Sequence, residues 1–255
     1  MRVAIVGYGR MGREVEAIVR DRGHEVGRII DPTLSDGADR ATTVTAASLE
    51  GCDVAIEFSL PDAVSANVRC YAHERIPAVI GTTGWIDELD EVRKVVEAGG
   101  SGLVYGSNFS VGAHVLLRLA TRAGELVRDL EEYDLAIHEM HHRGKKDSPS
   151  GTALTLAEAI LAVVPRKRVV ETSRLDRPPQ PEELHVSSTR GGSIPGTHTV
   201  YLDAPADTIE ITHRARTRGG FALGAVRAAE WIIDRKGLFS VEQFISELLS
   251  AQKQH

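Results

Sequence analysis

Residues 138–152, HEMHHRGKKDSPSGT, place three histidines, two lysines, two carboxylates and a Ser-Gly-Thr turn in one short run. Two chemistries could use them. The first is a metal site. His138, Glu139 and His142 spell H-E-x-x-H, which on a helix aims two imidazoles at zinc with the carboxylate beside a bound water. The flanks count against it. YDLAI enters with strand alternation and RGKKDSPSG leaves as a loop. In a strand His138 and His142 would stand roughly 13 Å apart, too far to share an ion. Lys145 and Lys146 add charge that opposes a cation, and no third-ligand motif follows, so no metal is expected. The second chemistry is proton exchange beside an anion. Ser150, Gly151 and Thr152 open the helical run TALTLAEAI. Ser150 is a good N-cap, and the N–H groups behind it can receive a carboxylate. Lys145 offers a point charge and a proton, and His141 exchanges a proton near neutral pH. Hydride delivered to a carbon conjugated with nitrogen leaves negative charge that must be protonated. A His or Lys beside a carboxylate nest meets that need. The plain alternative, histidines decorating a surface loop, does not account for His141, His142, Lys145 and the helix start together.

The N-terminus supplies a matching partner. RVAIVG is a short β-branched run, GYGRMG follows, and REVEAIVRDR is helical in period before HEVGRIID ends in Asp31. Gly7, Gly9 and Gly12, with Tyr8, Arg10 and Met11 between them, have G-x-G-x-x-G spacing in the strand–turn–helix–strand context that a dinucleotide site needs. Gly7 permits the turn, Gly9 lets backbone approach a pyrophosphate, and Gly12 lets the helix lie close to the strand. The helix N-terminus faces the phosphates. Asp31, about twenty residues on, can bond an adenosine ribose. Its carboxylate would repel a 2′-phosphate, so NADH is favoured; Arg10 or Arg40 leaves NADPH possible.

The elements that must hold these residues alternate through the first third. CDVAIEFS, IPAVIGTTG and SGLVYGSNFS read as strands, with helical DAVSANVRCYAHE and WIDELDEVRKVVEAG between them. That order implies an α/β fold, a Rossmann-type doubly wound parallel sheet. Ligands bind beyond the C-terminal strand ends of such sheets. There the loops 57–61, 81–84 and 107–110 make Gly81, Thr82, Thr83, Ser107, Asn108 and Phe109 candidate ribose or nicotinamide contacts. The style then changes. AHVLLRLATRAGELVRDL and GTALTLAEAILAVV are helical, YDLAIHEMHH is strand-like, and residues 166–183 are polar and Pro-rich, expected as an exposed connection. LHVSSTRGG, GTHTVYLDA and DTIEITHRAR follow without helices between them, which indicates a mixed or antiparallel sheet in a second, α+β domain. FALGAVRAAEWIIDR and SVEQFISELLSAQ return as helices. The expected domains are 1–110 with 219–255, binding dinucleotide, and 111–218, binding substrate and forming the oligomer. Candidate hinges are Phe109–Gly112 and Arg218–Gly220.

Bulk composition agrees. The 255 residues are 42% hydrophobic and 26% charged, with formal net charge −6, which gives no basic field for nucleic acid. Cys52 and Cys70 form no disulfide framework and no CxxC pair, as expected of a cytoplasmic protein. MRVAIVGYGRMG is too briefly apolar for a signal peptide or a span, and no membrane association is expected.

The run Glu139, His141, His142, Lys145, Asp147, Pro149, Ser150, Gly151, Thr152, Ala153 resembles the signature of the 4-hydroxy-tetrahydrodipicolinate reductase (dihydrodipicolinate reductase) family. The likeness extends along nearly the whole chain, through GRMG at 9–12, EFS at 57–59, GTTG at 81–84, NFSVG at 108–112, RGGSIPGTH at 190–198 and EITHRA at 210–215. The resemblance implies NAD(P)H-dependent reduction of a small dicarboxylate in diaminopimelate and lysine biosynthesis, by a cytoplasmic homotetramer assembled through the second domain's sheet. It implies His141 as proton donor or acceptor, Lys145 as proton donor and His142 as a substrate-binding residue. Gly151 and Thr152 would hold a substrate carboxylate, and residues 7–12, 81–83 and 107–109 would contact the cofactor. The first glycine loop is one residue shorter than the family's usual form, and Pro32 follows Asp31 where the family often has Arg. An amino-acid or sugar dehydrogenase would share the first domain but have no use for PSGT. A non-catalytic nucleotide sensor would have none for the His/Lys cluster.

Overall fold

Strands that read as unbroken apolar runs are buried on both faces, and those at the centre of the first sheet meet that condition. The computed structural model describes residues 1–250. In chain order its elements are β1 (Arg2–Val6), α1 (Arg10–Asp21), β2 (Glu25–Ile30), β3 (Arg40–Ala41), α2 (Ala46–Leu49), β4 (Val54–Glu57), α3 (Pro61–Glu74), β5 (Ala78–Ile80), α4 (Leu89–Gly99), β6 (Gly102–Tyr105) and α5 (Val111–Val127). Then come β7 (Asp134–His141), α6 (Gly151–Val163), β8 (Val169–Glu171), β9 (Glu183–Arg190), β10 (Thr197–Asp203), β11 (Thr208–Arg214), α7 (Gly219–Ile232), β12 (Gly237–Ser240) and α8 (Val241–Ser250). Residues 251 and 252, expected to extend the last helix, lie outside the described residues. None of the described helices is long and apolar enough to cross a membrane.

The chain divides into two compact units, Met1–Val111 with the segment from Arg218 on, and Gly112–Thr217. The first holds a seven-stranded parallel sheet in the order β12-β6-β5-β4-β1-β2-β3. Along β1, Val3 and Ile5 face a core shared with α1, α7 and α8, while Ala4 and Val6 face one shared with α2, α3 and α4. Each such valine or isoleucine contributes about 1.5–3 kcal/mol by its burial. Strand order reverses at β1, which lies between β2 and β4. The loops leaving β1 and β4 therefore open the crevice where doubly wound sheets bind ligands.

The second unit holds a mixed sheet, β11-β10-β7-β9-β8. β7, β9 and β8 run parallel to one another, and β10 is antiparallel to both its neighbours. One face packs Leu135, Ile137, Leu184, Val186, Val200 and Leu202 against Leu116 and Ala120 of α5 and Leu156 and Ile160 of α6. α6 starts at the N-cap Ser150 and ends before Pro165, which cannot continue a helix.

Two sequence expectations need correction. Residues 166–183 are not simply an exposed connection. They contain β8, and Lys167 is 2% exposed, its Nζ donating to Glu183 O at 2.7 Å and pairing with Asp134 Oδ1 at 2.5 Å. The C-terminal return is not only helical, because GLFS pairs in parallel with β6 as β12. Both strands are too short to show a period, and their stability comes from the neighbour each one pairs with.

Candidate active site

Side chains two apart on a strand share a face, so paired strands set residues in rows. On the helix-covered face of the second sheet, Val186, Ile137, Val200 and Ile211 are register partners in an apolar row. The next row is Ser188, Glu139, His198 and His213. The one after pairs Arg190 with His141. The core face thus turns polar at one end, beside the start of α6.

Glu139 has 0% exposure, and four donors keep its carboxylate ionised there. Arg190 Nη1 and Nη2 donate at 2.9 and 2.6 Å, Ser150 N donates at 3.1 Å, and His141 Nδ1 stands 2.5 Å from Oε2. Burial pushes this carboxyl up, but the bonds from Arg190 and His141 outweigh it and bring it down to about 2. Facing an ionised acceptor, Nδ1 of His141 carries the proton, which leaves Nε2 for exchange. Burial holds His141 below the usual imidazole value against the opposing pull of Glu139, so the ring is neutral at neutral pH. Gly196 leaves room beside it: a Cβ there would stand 2.9 Å from Nε2.

His198 meets the His141 ring edge-on at 5.2 Å, and its Nε2 lies 2.9 Å from Ser150 Oγ. Burial, with His141 adding to it, takes His198 down to about 4, so it too is neutral. Ser150 Oγ also accepts from Ala153 N at 3.3 Å, capping α6. Lys145 N donates to His142 O at 3.1 Å, closing the turn after β7. Lys145 Nζ is 2.8 Å from Asp147 Oδ1, the main reason Asp147 sits below the ordinary carboxylate range. His141, Lys145 and Ser150 are thereby gathered around Glu139, with His142 at the strand end and Gly151 and Thr152 in the first turn of α6. Glu139, Arg190 and His198 were given no part in this site by sequence reasoning. Strand alternation could have paired Glu139 with His141, and RGGSIPGTH contains both other residues.

The zinc pattern does not assemble on β7, where His138 Nδ1 bonds Ser187 Oγ at 2.8 Å. Among the described residues, Glu139, His141 and His198 do bring ligand atoms within 4.8 Å of one another. A cation there would compete with the Arg190 guanidinium for both Glu139 oxygens, an arrangement that disfavours metal.

In the first unit, the backbone after β1 fits a dinucleotide. Gly7 has φ 85°, and a Cβ on it would strike Phe58 O at 2.2 Å. A Cβ on Gly12 would strike Gly7 O at 2.1 Å, whereas one on Gly9 would meet nothing within 4 Å. Gly9 is the N-cap of α1 and makes no side-chain cap bond, so the cradle in front of the helix is open. Arg10 is exposed, while Met11 is partly buried against the core. Tyr8 N donates to Asp31 Oδ2 at 2.7 Å, and Thr33 N and Oγ1 donate to Asp31 Oδ1 at 2.9 and 2.6 Å. Partial burial raises the Asp31 carboxyl, and these bonds more than offset it, so it is ionised. A carboxylate accepts about four hydrogen bonds, which leaves room for a ribose hydroxyl.

The other strand-end loops divide their labour. Thr82 Oγ1 accepts from Ser59 N at 2.8 Å and Thr82 O from Trp85 Nε1 at 2.8 Å, so Thr82 ties loops together while Thr83 is exposed. Gly81 lies against the Phe58 ring. Thr83, Trp85, Tyr105, Ser107 and Glu242 line a cleft of ≈ 360 Å³. Asn108 Oδ1 accepts from Ser110 N at 2.9 Å. The Phe109 side chain is 1% exposed in the core, so only its backbone can meet a ligand. Beneath the β4 loop, buried Glu57 accepts from Ser59 Oγ, Asn67 Nδ2 and Tyr71 OH at 2.5, 2.8 and 2.8 Å.

Residues 1–109 match the family described as dihydrodipicolinate reductase, N-terminus, and residues 112–245 match dihydrodipicolinate reductase, C-terminus. A 4-hydroxy-tetrahydrodipicolinate reductase of Christiangramia forsetii is 38% identical over 249 residues, covering 97% of this chain and 99% of that one. That of Archaeoglobus fulgidus is 36% identical over 260 residues, covering 96% and 100%. Among solved structures, a dipicolinate-bound dihydrodipicolinate reductase from Paenisporosarcina sp. TG-14 shares the fold, with TM-score 0.76 at 24% identity over 94% of this chain and 97% of that one. A probable dehydrogenase from Thermotoga maritima shares it more loosely, with TM-score 0.58 at 12% identity over 98% and 94%.

Proposed function

The chain belongs to the dihydrodipicolinate reductase family, and from that premise we propose that it reduces 4-hydroxy-tetrahydrodipicolinate, or its dehydrated form, to tetrahydrodipicolinate for diaminopimelate and lysine synthesis. A nicotinamide dinucleotide, when bound, supplies the hydride. The backbone of residues 7–12 cradles its pyrophosphate, Asp31 takes the adenosine ribose, and Gly81–Thr83 with Ser107–Phe109 border the nicotinamide end. The Asp31 carboxylate favours NADH, with NADPH as the second choice. One substrate carboxylate rests on Ser150, Gly151, Thr152 and Lys145, and His142 contacts the ring or its other carboxylate. The proton comes from the Lys145 ammonium, or from His141 after Nε2 has first taken one up from solvent. The protein works as a cytoplasmic homotetramer joined through the second sheet.

The observation that carries this reading is an imidazole with one nitrogen fixed on Glu139, gathered with an ammonium group and a capped helix start. Its test is turnover of freshly made intermediate by His141→Gln and Lys145→Ala, with NADH and NADPH side by side. Each variant is expected to lose on the order of 10²–10⁴ in rate. Near-native turnover by both would overturn the assignment, and much lower efficiency with NADH than with NADPH would overturn the role given to Asp31.

A further inference from the structure

A buried ion pair is a poor source of stability, because desolvating two charges offsets most of their attraction. The pair between Glu139 and Arg190 has 0% and 19% side-chain exposure. What it does uniquely is join segments. Glu139 reaches His141 on its own strand, Ser150 at the start of α6, and Arg190 on β9. Arg190 Nη2 also donates to Asp147 O at 2.6 Å, and Asp147 is the residue whose carboxylate pairs with Lys145. One carboxylate and one guanidinium thus hold the imidazole, the helix start and the lysine loop.

We propose that Glu139 and Arg190 are the positioning residues of this site. Glu139 locks His141 as the Nδ1–H tautomer so that Nε2 exchanges the proton. Arg190 fixes Glu139 and ties the Lys145 loop to it through the Asp147 carbonyl. The proposal rests on the reading of His141 and Lys145 as the proton-exchanging groups. Geometry supplies the reason for a charged pair here. An apolar pair of the same volume would leave the imidazole free to turn over and the loop carbonyl without a donor.

The test has one arm that needs no turnover. In ¹⁵N NMR of the native protein, with the signal assigned by its loss in His141→Gln, Nδ1 is expected to be protonated and Nε2 bare above the ring's pKa. An Nε2–H tautomer would overturn the proposal. If the native protein shows the expected tautomer yet fails to reduce the substrate, the function falls and the positioning stands. The second arm is kinetic. Glu139→Gln keeps the volume and an acceptor for Ser150 N but removes the charge. It is expected to lower kcat on the order of 10²-fold with unchanged KM for the nucleotide. The limb of its kcat profile that His141 sets should move to lower pH, since Glu139 is the group that raises His141. The charged and titratable groups facing His141 from elsewhere, namely Arg190 on β9, His198 on β10 and Lys145 in the loop, all remain in that variant. Arg190→Lys, which cannot reach both Glu139 and the Asp147 carbonyl, should lose about tenfold in kcat. If both variants lose stability but keep native kcat per folded site and the native pH profile, the pair is merely structural and the proposal fails. Should Glu139→Gln not fold, Arg190→Lys and the native spectrum decide.

Discussion

What His141 can do is set by what lies against its two nitrogens. Nδ1 belongs to Glu139, and Nε2 has space only because residue 196 has no side chain. Gly196 also has φ 153°, which side chains rarely adopt. Gly196→Ala is therefore expected to strain the backbone by about 1–3 kcal/mol and to displace the imidazole. Displacement by about 1 Å can cost 10² in rate, so kcat should fall at least about tenfold. Nucleotide affinity, which belongs to the other unit, should not change; kinetics with a fluorescence titration of NADH checks both, and a native kcat would show that Nε2 does not need the space. At this scale the sequence was legible where chemistry is local. His141, Lys145 and the Ser150–Thr152 helix start lie within one run, and so do the glycines of the first loop. Arg190 and His198 were not legible, because they reach the site through the register of β9 and β10 on β7. Phe109 reads as a loop residue beside small polar neighbours, yet its ring belongs to the core.

Among the elements, β8 shows how a polar segment is held. Its approach carries Lys167, whose ammonium is enclosed between the Glu183 carbonyl and the more exposed Asp134 carboxylate. Lys167→Met would leave that carbonyl without its donor, and a charged hydrogen bond of this kind is worth about 1.5–3 kcal/mol. Urea unfolding of the second unit should show a loss of about 2 kcal/mol, with the first unit's nucleotide binding intact; an unchanged midpoint would mean that water replaces the ammonium freely. Longer elements were legible for a physical reason. The helices and the strands β1, β4, β7, β9, β10 and β11 carry their own period or apolar run. β3, β8 and β12 span two, three and four residues and owe their conformation to a partner distant in sequence.

At the scale of the molecule, each unit owns a core, and the chain passes between them twice, with α7, β12 and α8 returning to complete the first sheet and its helical cover. The second unit has a built-in acid weakness. Glu139 is held near 2, below its ordinary 4.5, so its contribution is whole above 4.5 and is lost as pH falls towards 2. His198 is held near 4, below its ordinary 6.5, so folding favours the neutral ring, and that contribution is lost as pH falls from 6.5 to 4. In both windows the unfolded chain binds the extra proton, so stability falls with pH, by on the order of 3 kcal/mol for each group at full effect. Urea midpoints measured from pH 7 to 4 should fall in the native protein and fall less in His198→Asn; equal slopes would remove His198 from the account. The sheet order has a consequence for time as well as for strength. β7 is the central strand, bonded on both edges. Its amides can trade deuterium only when the whole unit opens, whereas the turn after it, residues 143–149, can breathe alone. The imidazole end of the site is then as long-lived as the fold itself. The ammonium end, resting on Arg190 and Asp147, is the part that warming or mild denaturant silences first.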